Sequence, residues 1–283
     1  MSRFILIAVL CVSSVVFAAA PKSGYANVNG VKMYYEISGS GPDLVLLHGG
    51  ICTIEGCFGA LIPSLAKNRR VIAFEFQAHG HTPDIDRKLS VDALVSDTLK
   101  AMDQLGVKKT DLLGYSMGAA VALELAVAHP ERVNKLMLLS GAFSPDGVHP
   151  GMNDMSGITP ELFKGTPWLA SYEKAAPASE KNGVGFAKLI NRIKEVDDSR
   201  AIDPEKIRAL KSPVFVLIGD SDIITPEHAV KLFRLVGGGV AGDMVPMANS
   251  RLAILPATTH ARLMERAPLI AQFVTEFLAA ETR

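Results

Sequence analysis

Cysteine is scarce: three residues in a chain of 283 cannot staple a fold this long, so stability has to come from a buried apolar core. A surplus of one charge is also missing. The 29 basic and 29 acidic residues cancel, and no Lys/Arg-rich run or basic stripe occurs along the sequence, which argues against nucleic acid or an anionic membrane surface as partner. No internal repeat or low-complexity tract is found, which excludes a repeat architecture. Neither a dinucleotide fingerprint nor a P-loop occurs, so no cofactor is implied. What is present, 48% hydrophobic and 20% charged residues, is the balance of one globular catalytic domain with an insertion, acting on a neutral small molecule.

The N-terminus stands apart. Arg3 precedes an apolar run over 4–17, broken only by Ser13 and Ser14, which ends at Ala18-Ala19-Ala20. The run is short for a bilayer span and reads as a secretory signal peptide over 1–20, with a secreted or periplasmic product and no stable membrane insertion after cleavage. Removing it takes Cys11 away and leaves Cys52 and Cys57. Export would permit a bridge between them, but so short a loop gains little chain entropy and buried free cysteines are common, so the pair is expected as free thiols.

Beyond the leader, short apolar runs alternate with longer amphipathic stretches, the pattern of an α/β fold with a mostly parallel central sheet flanked by helices. Strands are expected over 31–37, 44–48, 70–76, 110–114, 133–140, 214–219 and 251–256, and helices over 91–105, 116–129, 226–236 and 267–280. The central strands are continuously apolar, as strands buried on both faces must be. Between 143 and 211 the strand rhythm stops and Pro- and Gly-punctuated helical pieces take over, over 161–163, 186–196 and 204–210. The expected organisation is therefore a core domain of 21–142 and 212–283, with a helical cap of 143–211 inserted. The stretch 237–250 is too long for an ordinary helix-to-strand connection and reads as a surface loop.

The sharpest motif is Gly114-Tyr115-Ser116-Met117-Gly118, which follows an apolar strand and opens a helix. That context makes it a nucleophile elbow, a sharp turn whose glycines let neighbouring chain pass close by. A serine hydroxyl is a poor nucleophile at neutral pH and needs a base held by a carboxylate. His260, after a late strand and a short loop, is the expected base; His129, His149 and His228 fall on a helix end, the cap entrance and a first helical turn. For the acid, Asp222 stands in the loop after strand 214–219, whereas Asp220 sits at the strand end and is expected to cap or turn. His48-Gly49-Gly50 ends another strand, and the backbone N–H groups of Gly50 and Met117 are the expected oxyanion donors. His48 is expected to shape that loop. His79 and His81 suggest a metal, but no third ligand is visible, so they are taken as structural and no metal is assigned.

Taken in order, His48-Gly49-Gly50, the elbow, Asp222 and His260 resemble the α/β-hydrolase superfamily over nearly the whole mature chain, and are similar to its capped esterase, enol-lactonase and cofactor-free haloperoxidase branches. The resemblance implies a Ser-His-Asp enzyme that forms an acyl-enzyme and cleaves esters or lactones. Ser116 at the nucleophile position disfavours the epoxide hydrolase and haloalkane dehalogenase branches, which use Asp. The stretch from Glu75 to Thr82 departs from relatives that often begin it with Asp and end it with Ser.

The reading that follows is an exported serine hydrolase of carboxylic esters or lactones with small to medium acyl groups. Phe143 and Trp168, with Met152, Met155, Phe163, Leu169 and Tyr172, are candidate pocket linings from the cap. The alternatives are an acyltransferase or perhydrolase with the same triad, and a non-catalytic binding protein on the same scaffold. Carbon–carbon bond hydrolases share the triad, but a signal peptide disfavours their usually intracellular substrates.

Overall fold

The computed structural model describes residues 20–152, 154–196 and 200–281. The leader read over 1–20 lies, apart from Ala20, outside the described residues.

Eight strands form one sheet: β1 (Lys22–Val28), β2 (Val31–Ser38), β3 (Asp43–Leu47), β4 (Arg70–Phe74), β5 (Thr110–Tyr115), β6 (Val133–Leu139), β7 (Val214–Ser221) and β8 (Arg251–Thr259). Their order is β1-β2-β4-β3-β5-β6-β7-β8. The β1/β2 and β2/β4 pairs are antiparallel and every later pair is parallel. Helices α1 (Ile54–Phe58), α2 (Ile62–Leu65), α3 (Val91–Gln104) and α4 (Met117–Ala128) lie between β3 and β6. Helices α5 (Pro167–Ala175), α6 (Val184–Lys194) and α7 (Pro204–Arg208) lie between β6 and β7, and α8 (Pro226–Leu235) and α9 (Ala267–Ala279) complete the chain.

The period-2 alternation of the strands sorts the core into two layers. Val45, Leu47, Ile72, Phe74, Leu112, Leu136 and Leu138 face one way and bury residues of α3, α4 and α8, such as Leu94, Val121 and Leu232. Leu44, Leu46, Val71, Ala73, Leu113, Met137 and Leu139 face the other way, against Phe58, Leu65, Ile270, Val274 and Phe277 of α1, α2 and α9. A third cluster, Tyr172, Phe186, Leu189 and Ile190 of α5 and α6, packs on Ala78. Among the described residues, 144–211 contains no strand, and both its ends are tied to the sheet domain: Val148 bridges Ile224 and Ile207 of α7 joins the first core layer. No helix among the described residues is long and apolar enough to cross a membrane.

Two features differ from expectation. Strand β1 extends the sheet through a hairpin at Asn29-Gly30, whose φ values of 47° and 86° suit the two-residue turn that Asn-Gly prefers. Cys52 and Cys57 are bridged, with Cα atoms 5.9 Å apart. The five-residue helix α1, N-capped by Thr53 through Gly56 N–H, brings the two together, and the expectation of free thiols overlooked that helix.

Close approach of chain at the strand ends leaves no room for side chains at certain glycines. A Cβ at Gly118 would lie 2.1 Å from the Leu47 carbonyl oxygen, whereas one at Gly157 would meet nothing within 4 Å. Gly118→Ala is therefore expected to lose about 2–3 kcal/mol in denaturant unfolding, while Gly157→Ala stays within about 0.5 kcal/mol of the parent.

Candidate active site

The strand-to-helix turn between β5 and α4 carries Ser116 at φ 54°, ψ −120°, a conformation that costs an L-residue about 1–3 kcal/mol and persists only where the surroundings impose it. Here they do. The Ser116 N–H donates to the Leu139 carbonyl at 2.9 Å, and the Ser116 carbonyl accepts the first helical N–H groups, from Ala119 and Ala120. A Cβ at Gly114 would strike the Gly118 carbonyl at 2.1 Å, so both flanking glycines are needed for the turn to close.

The parallel sheet brings the three expected partners to the C-terminal ends of β5, β7 and β8. His260 Nε2 lies 2.9 Å from Ser116 Oγ, and His260 Nδ1 lies 2.8 Å from Asp222 Oδ1. With the proton on Nδ1 donated to the carboxylate, Nε2 is free to accept from the serine hydroxyl. Asp222 also accepts the Ile224 N–H at 3.2 Å, the Gly219 N–H at 3.4 Å and the Ser140 hydroxyl. Burial raises the Asp222 carboxyl, but the hydrogen bond and charge of His260, then the Ser140 hydroxyl and the Ile224 N–H, more than offset it, and the group ionises below the ordinary aspartate range. Asp220 does not reach His260; it accepts the Ala257 and Thr258 N–H groups at 3.0 and 3.2 Å, bracing the turn before the histidine.

Gly50 and Met117 line the same cavity as Ser116 and His260. Met117 opens α4, where the first N–H groups have no intrahelical acceptor, and among the described residues neither the Met117 nor the Gly50 N–H has a hydrogen-bond partner. Two free donors beside a serine are what a developing oxyanion requires. His48 shapes the loop behind them: its Nδ1–H donates to the Gly49 carbonyl at 2.7 Å, and its Nε2 accepts the Phe76 N–H at 3.0 Å. Burial, then the neighbouring His79, holds the His48 ring neutral. His81 is turned toward Glu75, with Nδ1 3.0 Å from the carboxylate. Among the described residues no group of three or more His, Cys, Asp or Glu side chains is placed to hold a metal.

The cavity, about 370 Å³, is walled by Phe143, Met152, Met155 and Ile193 from the segment after β6. Phe143 is fixed there because its N–H donates to His228 Nε2 at 3.1 Å and its ring stacks on that imidazole. Trp168 does not line the cavity. It sits on α5 against Phe163, with ring centroids 6.3 Å apart, since α5 packs on α6 and α1 and not over the serine. Phe163, Leu169 and Tyr172 join the third cluster for the same reason.

Two supporting residues escaped the sequence reading. Ser140 directly follows β6 at φ 49°, and its hydroxyl reaches Asp222; its signal was a serine after an apolar strand and beside a glycine. Tyr115, inside the elbow motif, donates its hydroxyl to the His260 carbonyl at 2.8 Å and lies parallel to the imidazole.

The sequence model of the family described as alpha/beta hydrolase fold matches residues 42–200. The chain belongs to the α/β-hydrolase family. Within it, the chain is 28% identical over 269 residues to the 2-hydroxymuconate semialdehyde hydrolase of Pseudomonas sp. (strain CF600), covering 88% of this chain and 91% of that one. Two solved structures share this α/β-hydrolase fold. The meta-cleavage product hydrolase CumD of Pseudomonas fluorescens IP01 superposes with a TM-score of 0.71 at 21% identity, over 91% of this chain and 97% of that one. The enol-lactonase of Burkholderia xenovorans LB400 gives 0.67 at 21% identity, over 90% and 100%.

Because the folded-state pKa of Asp222 is depressed, its contribution to stability is present above the unfolded aspartate value of about 3.9 and is lost as pH falls through the folded value. Ser140→Ala removes one charge-assisted donor. It is expected to lower stability at neutral pH by about 2 kcal/mol and to shift acid unfolding to higher pH, read by circular dichroism along a pH titration. An unchanged acid midpoint would show that the Ser140 hydroxyl does not hold the carboxylate.

Proposed function

We propose that the protein is an exported serine hydrolase that cleaves carboxylic esters or lactones of small to medium acyl groups through an acyl-enzyme. The observation that carries this reading is the continuous relay from Asp222 through His260 to Ser116, at 2.8 and 2.9 Å. Ser116 is the nucleophile, His260 the base and then the acid, and Asp222 the group that orients the imidazole and stabilises its cation. The N–H groups of Gly50 and Met117 receive the oxyanion, each contributing about 3 kcal/mol. Attack on the acyl carbon, with the proton passing to His260, gives a tetrahedral intermediate. Its collapse expels the alcohol, protonated by His260. Water activated by the same imidazole then releases the acid.

Support for an uncharged substrate comes from the apolar wall of the cavity and from the pairing of its charged residues: Arg200 bonds Glu124 at 2.8 Å and also Asp92. Support for export comes from the composition of residues 1–20 and, independently, from the Cys52–Cys57 bridge, which needs an oxidising compartment to persist.

A second reading follows from the curated relative named for 2-hydroxymuconate semialdehyde, which is not an ester. Assayed side by side, p-nitrophenyl esters of graded length and that semialdehyde separate the two. The expected outcome is ester turnover that peaks at one acyl length and falls by about three orders of magnitude or more in Ser116→Ala and His260→Ala. Turnover of the semialdehyde without ester cleavage would move the protein to the second class.

The export reading predicts that protein recovered from the cell envelope or the medium begins downstream of Ala20 and shows no titratable thiol when denatured without reductant. Material retained inside the cell with its leader intact and Cys52 and Cys57 free would refute it.

A further inference from the structure

The parallel strands give the molecule two unlike poles. Ser116, Asp222 and His260 follow the C-terminal ends of β5, β7 and β8. At the opposite pole lie the N-terminal ends, in register at Asp43 with Arg70, Leu44 with Asp111, Thr110 with Val133, Leu136 with Val214 and Phe215 with Arg251. The loop 237–250 enters β8 at this second pole and is apolar where it is most exposed: Met244 is 83% accessible, Met247 58%, Val245 47% and Val240 46%. A folded protein rarely leaves four large apolar side chains within eight residues in water unless something covers them.

The same pole collects lysines that are scattered along the sequence. Lys67 stands just before β4, Lys108 and Lys109 immediately before β5, and Lys211 just before β7, next to β8 in the sheet. All four are exposed, and among the described residues none of their ammonium groups takes part in an ion pair or hydrogen bond, although the Lys108 carbonyl accepts from Arg132 Nε at 2.7 Å. Three acids of this pole are already matched by arginines: Asp111 by Arg69 at 2.6 Å, Asp43 by Arg70 at 3.3 Å and Asp103 by Arg132 at 2.7 Å. Glu131, 3.7 Å from His129, Asp243 in the loop itself and Glu281, just beyond the α9 end that Lys135 Nζ holds through the Ala280 carbonyl, oppose the lysines but do not outnumber them. The row runs across the strand ends from β4 to β7, a span of about 19 Å at the usual strand spacing, and the 237–250 loop follows it at β8.

We infer that this pole docks the protein on an anionic phospholipid bilayer, with the 240–247 loop inserted among the headgroups and Lys67, Lys108, Lys109 and Lys211 over the lipid phosphates. An apolar tip with a row of unpaired cations extending from it is complementary to such a surface on both counts, hydrophobic and electrostatic. The absence of a basic run in the sequence argued against an anionic membrane; the fold assembles the basic surface from three separate loops. The chain also enters the sheet at this pole, since Lys22 pairs with Ile37 and Ser38 with Val71. Docked this way, the protein holds its cavity mouth away from the lipid, open to substrates in the aqueous phase.

Co-sedimentation with phosphatidylcholine vesicles, with and without phosphatidylglycerol, tests this on the whole protein, every variant carrying the same N-terminus. The expected result is binding that requires phosphatidylglycerol and is released by salt. Binding should weaken about ten-fold or more in Met244→Ser/Met247→Ser and about five-fold for each of Lys109→Gln and Lys211→Gln. These side chains are exposed, so thermal unfolding should match the parent in each variant. Binding indifferent to lipid charge, or equal in parent and variants, would overturn the inference. So would a concentration-dependent dimer lost in Met244→Ser with no vesicle binding, which would assign the loop to a second copy of the chain.

Discussion

Everything at the C-terminal edge of the sheet depends on one steric constraint, the closure of the β5–α4 turn around Ser116. The turn forces a positive φ on a residue with a side chain, and the cost is met because α4 starts in contact with the end of β3. Gly118 lies against the Leu47 and His48 carbonyls, and Gly49 brings the His48-Gly49-Gly50 loop to within van der Waals reach of Ser116 and Tyr115. That single contact orients the hydroxyl toward β8, exposes the first N–H of α4 and presents the Gly50 N–H beside it. Loosening the turn would move all three together.

The histidine side of the site is held by a different kind of interaction. His260 follows the β8 edge strand, on a segment with little packing of its own, and polar contacts position it: the Tyr115 hydroxyl on its carbonyl, Asp220 on the Ala257 and Thr258 N–H groups and the buried Asp222 on its ring. Behind the oxyanion loop a second buried carboxylate acts similarly. Glu75 accepts the Ile54 N–H at 3.1 Å and the His81 N–H at 2.6 Å, joining the start of α1 to the 75–82 loop. Thr82 accepts the Tyr34 N–H and donates to the Glu75 carbonyl. The two ends of the 75–82 stretch, Glu75 and Thr82, thus meet in one network.

The parts of the fold legible in the sequence are those where a local pattern and the global packing agree. The inner strands are apolar throughout because helices cover both faces, and the elbow is flagged by glycines that sterics demand. Strand β1 is different: it is an edge strand with Lys22, Ser23, Tyr25 and Asn27 outward, so it has no apolar run, and only the Asn-Gly turn marked it. Helix α1 is five residues long, too short for a helical period, and with it went the cue for the disulfide. The cap was the least readable region. Its apolar residues divide between a cavity wall and a small core of their own, and spacing along one chain does not reveal that α5 packs on α6 and α1 and not over the serine. Ser140 and Tyr115 act through contacts 82 and 145 residues away, and their sequence context carries no trace of those partners.

The placement of Trp168 has an optical consequence. It is the chain's single tryptophan, half-buried on α5 and edge-on to Phe163, while the sheet and its flanking helices hold none. Intrinsic emission excited at the red edge therefore comes from α5 alone. The protein thus carries a native fluorophore that reports the surroundings of α5 beside Phe163 while the sheet stays dark, with no attached dye.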